Sequence, residues 1–237
     1  MTSRASKLSG VLVAVMAGLA GSSTSAIGAD AAHPAVLELF QSQGCSSCPP
    51  ANANVMALSG RPDILALSFE VTYWDNLGWK DTFDQPKFTA RQYDYAKGLG
   101  HPNVFTPQVV VNGRRDGVGV DPRALRGLLA AADRGDGGPM VSIGRRTVRI
   151  SAGAAGKGAD VWLVRYDPRI IQVSIKRGEN GGKTLPHKNI VRELTWLGRR
   201  TGPPLTLPIS PPADEAWKTA VLVQNPGGGA ILAAATG

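Results

Sequence analysis

The chain has 237 residues, 43% of them hydrophobic and 19% charged, with two Cys, 29 Gly and 17 Pro. That length supports one large domain or two small ones with real cores, and the apolar content excludes intrinsic disorder. Two Cys exclude a four-Cys zinc site or a multi-disulfide mini-fold, and no apolar run past the N-terminus reaches the roughly eighteen residues of a membrane-spanning helix.

The formal net charge of +8 is unevenly spread. Residues 30–139 hold 10 basic and 12 acidic side chains, whereas residues 140–237 hold 14 basic and 6 acidic. The asymmetry predicts two regions with different surfaces. No aromatic-basic recognition motif accompanies the charge, so a nucleic-acid partner is not expected.

Residues 1–29 have the form of a secretory signal. Arg4 and Lys7 precede the short apolar stretch Leu8–Ala20, and Ala29-Asp30-Ala31 offers a small-x-small cleavage point. The expected location is therefore periplasmic or secreted, an oxidising space in which a nearby Cys pair persists as a disulfide.

Strand and helix signals then alternate. Val36–Phe40 predicts a buried strand ending in the turn Gln41–Gly44, and Cys45–Ser59 predicts a helix stopped by Gly60 and Pro62. Ile64–Val71 predicts a second strand and Pro86–Gly98 a second helix. Gln108–Val111 predicts a third strand, turning through Asn112-Gly113 toward Val118–Val120 as its partner. Asp121-Pro122 caps a third helix with Leu125, Leu128 and Leu129 on one face. Arg134–Pro139 is a turn-rich linker. Beyond it lie Val141–Ile143, Thr147–Ile150, Val161–Tyr166, Ile171–Ile175, Ile190–Leu197 and Ala220–Gln224, with turns at Gly144, Gly156–Gly158, Asp167-Pro168, Asn180–Gly182 and Gly227–Gly229. Ile190–Leu197 is also compatible with a short helix. The expected organisation is a signal over residues 1–29, an α/β domain over 30–136 and a mainly antiparallel β domain over 137–237.

Cys45-Ser46-Ser47-Cys48 falls where the first strand gives way to the first helix. A thiol there faces unpaired backbone N–H groups and the positive end of the helix dipole, which favour the thiolate. The two-residue spacing lets a second thiol attack a mixed disulfide formed by the first. Cys45 is thus the candidate nucleophile and Cys48 the candidate resolving thiol. A loop this short restrains the unfolded chain little, which argues against a purely structural staple. The chemistry needs sulfurs open to a visiting substrate.

Thr106-Pro107 precedes the strand Val109–Val111 and the Asn112-Gly113 turn. A strand-to-helix Cys-x-x-Cys followed by x-Pro, strand, hairpin and terminal helix resembles the thioredoxin fold. The resemblance implies a cis Thr106–Pro107 bond facing the Cys pair, with the backbone of Thr106 free to align an extended substrate. More narrowly, Val36–Ala51, Tyr73–Asp81, Thr106–Gly113 and Arg177–Arg192 together resemble a secreted bacterial thioredoxin-like family catalogued as a domain of unknown function. That family implies a thioredoxin-like domain followed by a β-rich C-terminal domain, and no substrate. The chain departs from the family pattern at Asn52, where Asp is frequent, and at Glu70-Val71-Thr72, where His-Val-Asp is frequent; redox poise is what those departures put in question.

Three further positions are candidates. Glu38 shares a strand face with Val36 and Phe40, so burial makes it a candidate proton acceptor for Cys48, or a structural carboxylate. Trp74 and Trp79, in the aromatic loop Tyr73–Asp81, are candidate walls of a substrate groove or anchors of their own loop. His33, His101 and His187 are too scattered in sequence to form a ligand set. The leading expectation is an exported thiol–disulfide oxidoreductase with no cofactor and no resident metal, acting on protein or small-molecule thiols and disulfides and recharged by a redox partner protein. Its rivals are a non-catalytic binding or Cu(I)-delivery protein using the same two thiolates, and a β region that binds an envelope partner.

Overall fold

The computed structural model describes residues 1–2, 29–135, 137–153 and 158–237. The expected signal falls almost wholly outside the described residues, as does most of the expected Gly156–Gly158 turn. No helix among the described residues is long and apolar enough to cross a membrane.

Strand β1, Ala35–Gln41, is buried along its whole length because both of its faces are covered. Leu37 and Leu39 point to one face, where helix α1, Cys48–Leu58, contributes Ala51 and Val55 and helix α3, Pro122–Ala131, contributes Leu125. Val36 and Phe40 point to the other face, under Phe88 and Tyr95 of helix α2, Pro86–Leu99. Strand β2, Ile64–Glu70, runs parallel to β1 in the register Ala35↔Ile64 to Gln41↔Glu70. Strand β3, Gln108–Val111, runs antiparallel on the other side of β1, with Phe40 opposite Gln108.

The hairpin after β3 corrects one expectation. Asn112 and Gly113 both have positive φ (49° and 60°), and Arg114 N donates to Val111 O, so the chain turns at once and strand β4 is Arg115–Gly117. Val118–Val120 has already left the sheet. Asp121 caps α3 as its sequence indicates, accepting from Arg123 N at 2.8 Å, with Pro122 in the first turn.

The C-terminal half supplies β5 (Val141–Ile143), β6 (Thr147–Ile150), β7 (Ala159–Asp167), β8 (Ile171–Ser174), β9 (Thr184–His187), β10 (Ile190–Arg200), β11 (Leu205–Pro208), β12 (Lys218–Gln224) and β13 (Ile231–Thr236). The stretch compatible with either state is strand β10. Strands β9, β11 and β13 carry no clear sequence signal, being short, Pro-containing or Ala-rich.

Four of these strands extend the first sheet rather than building a separate one. The order is β13-β12-β7-β10-β2-β1-β3-β4, a large and mostly antiparallel eight-stranded sheet in a mixed α/β protein. The join is narrow: Ile190 of β10 sits beside Ser68 of β2, Ser68 N donates to Asn189 O, and Asn189 Nδ2 donates to Ala66 O at 2.8 Å. One apolar cluster then runs along a single face from Val36 and Phe40 to Leu222 and Ala234. The turn-rich segment at 134–139 is therefore not a boundary of the sheet. The small sheet β11-β6-β5 covers the opposite face of β7, β12 and β13.

Candidate functional site

Cys45 and Cys48 form a disulfide at the C-terminal end of β1, with Cα atoms 5.4 Å apart. The helix begins at Cys48, not at Cys45. Cys45–Ser47 is a turn closed by Cys48 N donating to Cys45 O. Pro49 and Pro50 occupy the first helical turn, where a missing N–H costs nothing.

The segment before Cys45 is tied down by the aromatic loop. Gln43 N donates to Asp81 Oδ2 at 2.7 Å, Gln43 Nε2 donates to Thr82 Oγ1 at 2.8 Å, and Trp79 Nε1 donates to Gln43 Oε1 at 3.0 Å. Trp79 thus anchors its own loop to the Cys segment. Trp74 packs beside Gly44 and donates through Nε1 to Thr106 Oγ1 at 2.7 Å. The Thr106–Pro107 bond is cis, and the pairing of Phe40 with Gln108 sets Pro107 beside the end of β1 that leads into the Cys turn. Trp74 therefore ties the two segments together.

Glu38 is buried, but on the wrong face for the expected role. It shares its side of β1 with Val36 and Phe40, whereas α1 covers the side of Leu37 and Leu39. Arg91 Nε and Nη2 donate to its two carboxylate oxygens at 2.7 and 3.1 Å, and the Tyr95 hydroxyl donates as well. An ion pair so satisfied is a structural anchor between β1 and α2. The buried carboxylate on the α1 face is Glu70, the residue paired with Gln41 in the β1–β2 register.

Around Glu70 lies a polar layer assembled from distant segments. Gln41 Nε2 donates to Glu70 Oε1 at 3.0 Å and to Asn52 Oδ1 at 3.3 Å, and His187 Nδ1 lies 3.2 Å from Glu70 Oε1. Asn52, one helical turn after Cys48, donates to Pro186 O at 2.6 Å. Glu70 Oε2 and His187 Nε2 are buried with no hydrogen-bond partner among the described residues. Burial, together with the nearby charge of Glu70, pushes the Asp81 carboxyl up to about 9, so it keeps its proton at neutral pH. Asp81 does not stand out as a site residue in sequence, and Glu70 does so only as a departure from the family pattern. The available signal is strand parity, since Glu70 shares the face of Ile64, Ala66 and Ser68.

The sulfurs are not open. Cys45 is 0% and Cys48 1% exposed, against the expectation of an accessible pair. Part of the cover is the loop between β8 and β9. Asn180 Nδ2 donates to Gln43 O at 3.0 Å and to Cys45 O at 2.9 Å, and Glu179 Oε2 accepts from Ser46 N at 3.0 Å. In sequence Asn180-Gly181-Gly182 is an ordinary turn. Its role follows from contacts with residues more than 130 positions away.

Fold and site together define a mixed α/β protein with a Cys-x-x-Cys disulfide at the end of a central strand. The chain belongs to the family of proteins of unknown function DUF1223, whose pattern matches residues 36–224. It is similar to the crystal structure of protein AGR_C_4864 from Agrobacterium tumefaciens, with 32% identity, a TM-score of 0.71, and coverage of 85% of this chain and 92% of that one. HBP35 of Porphyromonas gingivalis shares the fold at 14% identity and a TM-score of 0.55, over 86% of this chain and 74% of that one. No curated protein matches the sequence.

Proposed function

We propose that this protein is an exported, periplasmic or secreted, thioredoxin-like thiol–disulfide oxidoreductase acting on protein or small-molecule thiols and disulfides. The observation that carries the reading is the Cys45–Cys48 disulfide at the start of α1, with the cis Thr106–Pro107 segment tied by Trp74 to the residues leading into it. The strand order β2-β1-β3-β4, with β1 and β2 parallel, β3 and β4 antiparallel and helices between, supports the thioredoxin-like part of it. The N-terminal charge and apolar pattern supports export.

In the reduced protein, the positive end of the α1 dipole, which begins three residues after Cys45, favours the Cys45 thiolate. Cys45 attacks a substrate disulfide, forming one S–S bond and releasing one substrate thiolate. Cys48, once deprotonated, attacks the mixed disulfide, so the second substrate thiolate leaves and the Cys45–Cys48 bond forms. Two electrons pass to the substrate, and the two protons of the Cys thiols end on its sulfurs. The reverse sequence oxidises a dithiol substrate. Glu70, linked through Gln41 to Asn52 one turn into α1, takes the place expected of Glu38 as the buried carboxylate on the α1 side.

The test compares insulin reduction and dithiol oxidation by wild type, Cys45→Ser and Cys48→Ser. Turnover confined to wild type is expected; equal rates in all three would remove the assignment.

A further inference from the structure

We infer that the Lys176–Lys183 loop is a latch over the Cys45–Cys48 pair, with Asn180 as the residue that positions it. Both Cys residues are buried although Ser46 and Ser47 between them are exposed, so the shielding is local. Asn180, itself fully buried, brackets Cys45 by donating to the carbonyls of Gln43 and Cys45. Lys183 Nζ donates to Asn180 Oδ1 at 2.9 Å, which turns the amide so that its N–H groups face those carbonyls. On the far side the loop rests against the aromatic loop: a Cβ placed on Gly178 would lie 3.3 Å from Leu77 O and from the Trp79 Cβ.

The hairpin that carries the latch is separable from the main sheet. Among the described residues, strands β8 and β9 pair only with each other. The loop also closes on itself, through Ile175 N to Lys183 O, Gly182 N to Ile175 O, Gly181 N to Gly178 O and Lys183 N to Asn180 O. Opening therefore preserves these bonds and gives up the contacts to Gln43, Cys45 and Ser46 together with the packing of Gly178 against Leu77 and Trp79. The base stays fixed by Asn52 on Pro186 O and by His187 beside Glu70. Gly178 and Gly182, at φ of +76° and +83°, flank the moving tip. A closed latch keeps a folded protein disulfide from Cys45, so the loop decides which substrates reach the pair and when.

The latch serves the proposed redox activity, yet the access it controls is measured without turnover. The oxidised full chain is reduced with excess dithiothreitol, which supplies two electrons and two protons per disulfide cleaved, at several urea concentrations below the unfolding transition. Wild type is expected to reduce slowly and almost independently of urea. Asn180→Ala, which removes two buried hydrogen bonds, is expected to react about tenfold faster with the same flat urea response. Glu179→Ala changes an exposed side chain and leaves the Ser46 N–H to water; a smaller acceleration, about two- to threefold, is expected. It keeps the test decisive should Asn180→Ala not fold. Equal rates in wild type and variants, or wild-type rates rising with urea as steeply as global unfolding, overturn the latch. Absent insulin turnover alongside Asn180-dependent access sinks the redox reading alone, and the converse result sinks the latch alone.

Discussion

The Glu38 carboxylate and the Arg91 guanidinium form a buried two-point ion pair, at 2.7 and 3.1 Å, on the sheet face opposite α1. Removing one partner leaves a buried charge uncompensated. Glu38→Ala and Arg91→Ala are each expected to cost about 3–5 kcal/mol in urea unfolding, with the double variant costing clearly less than the sum. If the proposed thiol–disulfide turnover is found, Glu38→Gln, assayed as folded protein, should keep it within a factor of ten. A catalytic base contributes about 10²-fold or more, so a loss of that size would return Glu38 to the mechanism.

Asp81 sets a pH dependence. Its carboxyl is pushed up to about 9 in the folded protein from an ordinary 3.8. Between those values the folded state holds a proton that the unfolded state has released. The associated stability is thus fully present below pH 3.8 and is lost as pH rises through about 9, at up to about 1.4 kcal/mol per pH unit. Asp81→Asn should flatten this slope. Urea unfolding of both proteins at pH 5, 7 and 9 measures it, and parallel pH profiles would refute the buried-proton account.

Gly228 and α2 approach too closely for any side chain. A Cβ on Gly228 would collide with Asp94 O and lie 2.6 Å from Tyr95 N, and Gly228 has φ +72°. Gly228→Ala should cost at least about 2 kcal/mol, combining left-handed strain with overpacking. Gly100 has a similar φ of +78° but open space around it, so Gly100→Ala should cost only about 1 kcal/mol. Similar losses in the two variants would show that the close approach carries no weight.

Trp74 holds the Thr106–Pro107 segment to the Cys turn through one part-buried hydrogen bond. Trp74→Phe keeps the ring packing and removes the donor. The expected loss is about 1 kcal/mol. Thermal unfolding of Trp74→Phe beside Thr106→Val and the double variant checks it; additive losses would mean the two side chains are uncoupled.

What the sequence by itself determined is local. The runs Val36–Phe40 and Ile64–Val71, the Asn112-Gly113 turn and the Asp121-Pro122 cap announce their elements because apolar period and turn chemistry act over a few neighbouring residues. The Cys-x-x-Cys at a strand–helix junction and the x-Pro before β3 were legible for the same reason. Tertiary structure decided the rest. Glu38 meets Arg91 across 53 positions, Glu70 meets His187 across 117, and Asn180 reaches Cys45 across 135. Which carboxylate lies on the α1 face, which strand extends the sheet and what covers the sulfurs depend on how separated segments satisfy one another's buried polar groups. That accounting closes only when the chain is folded.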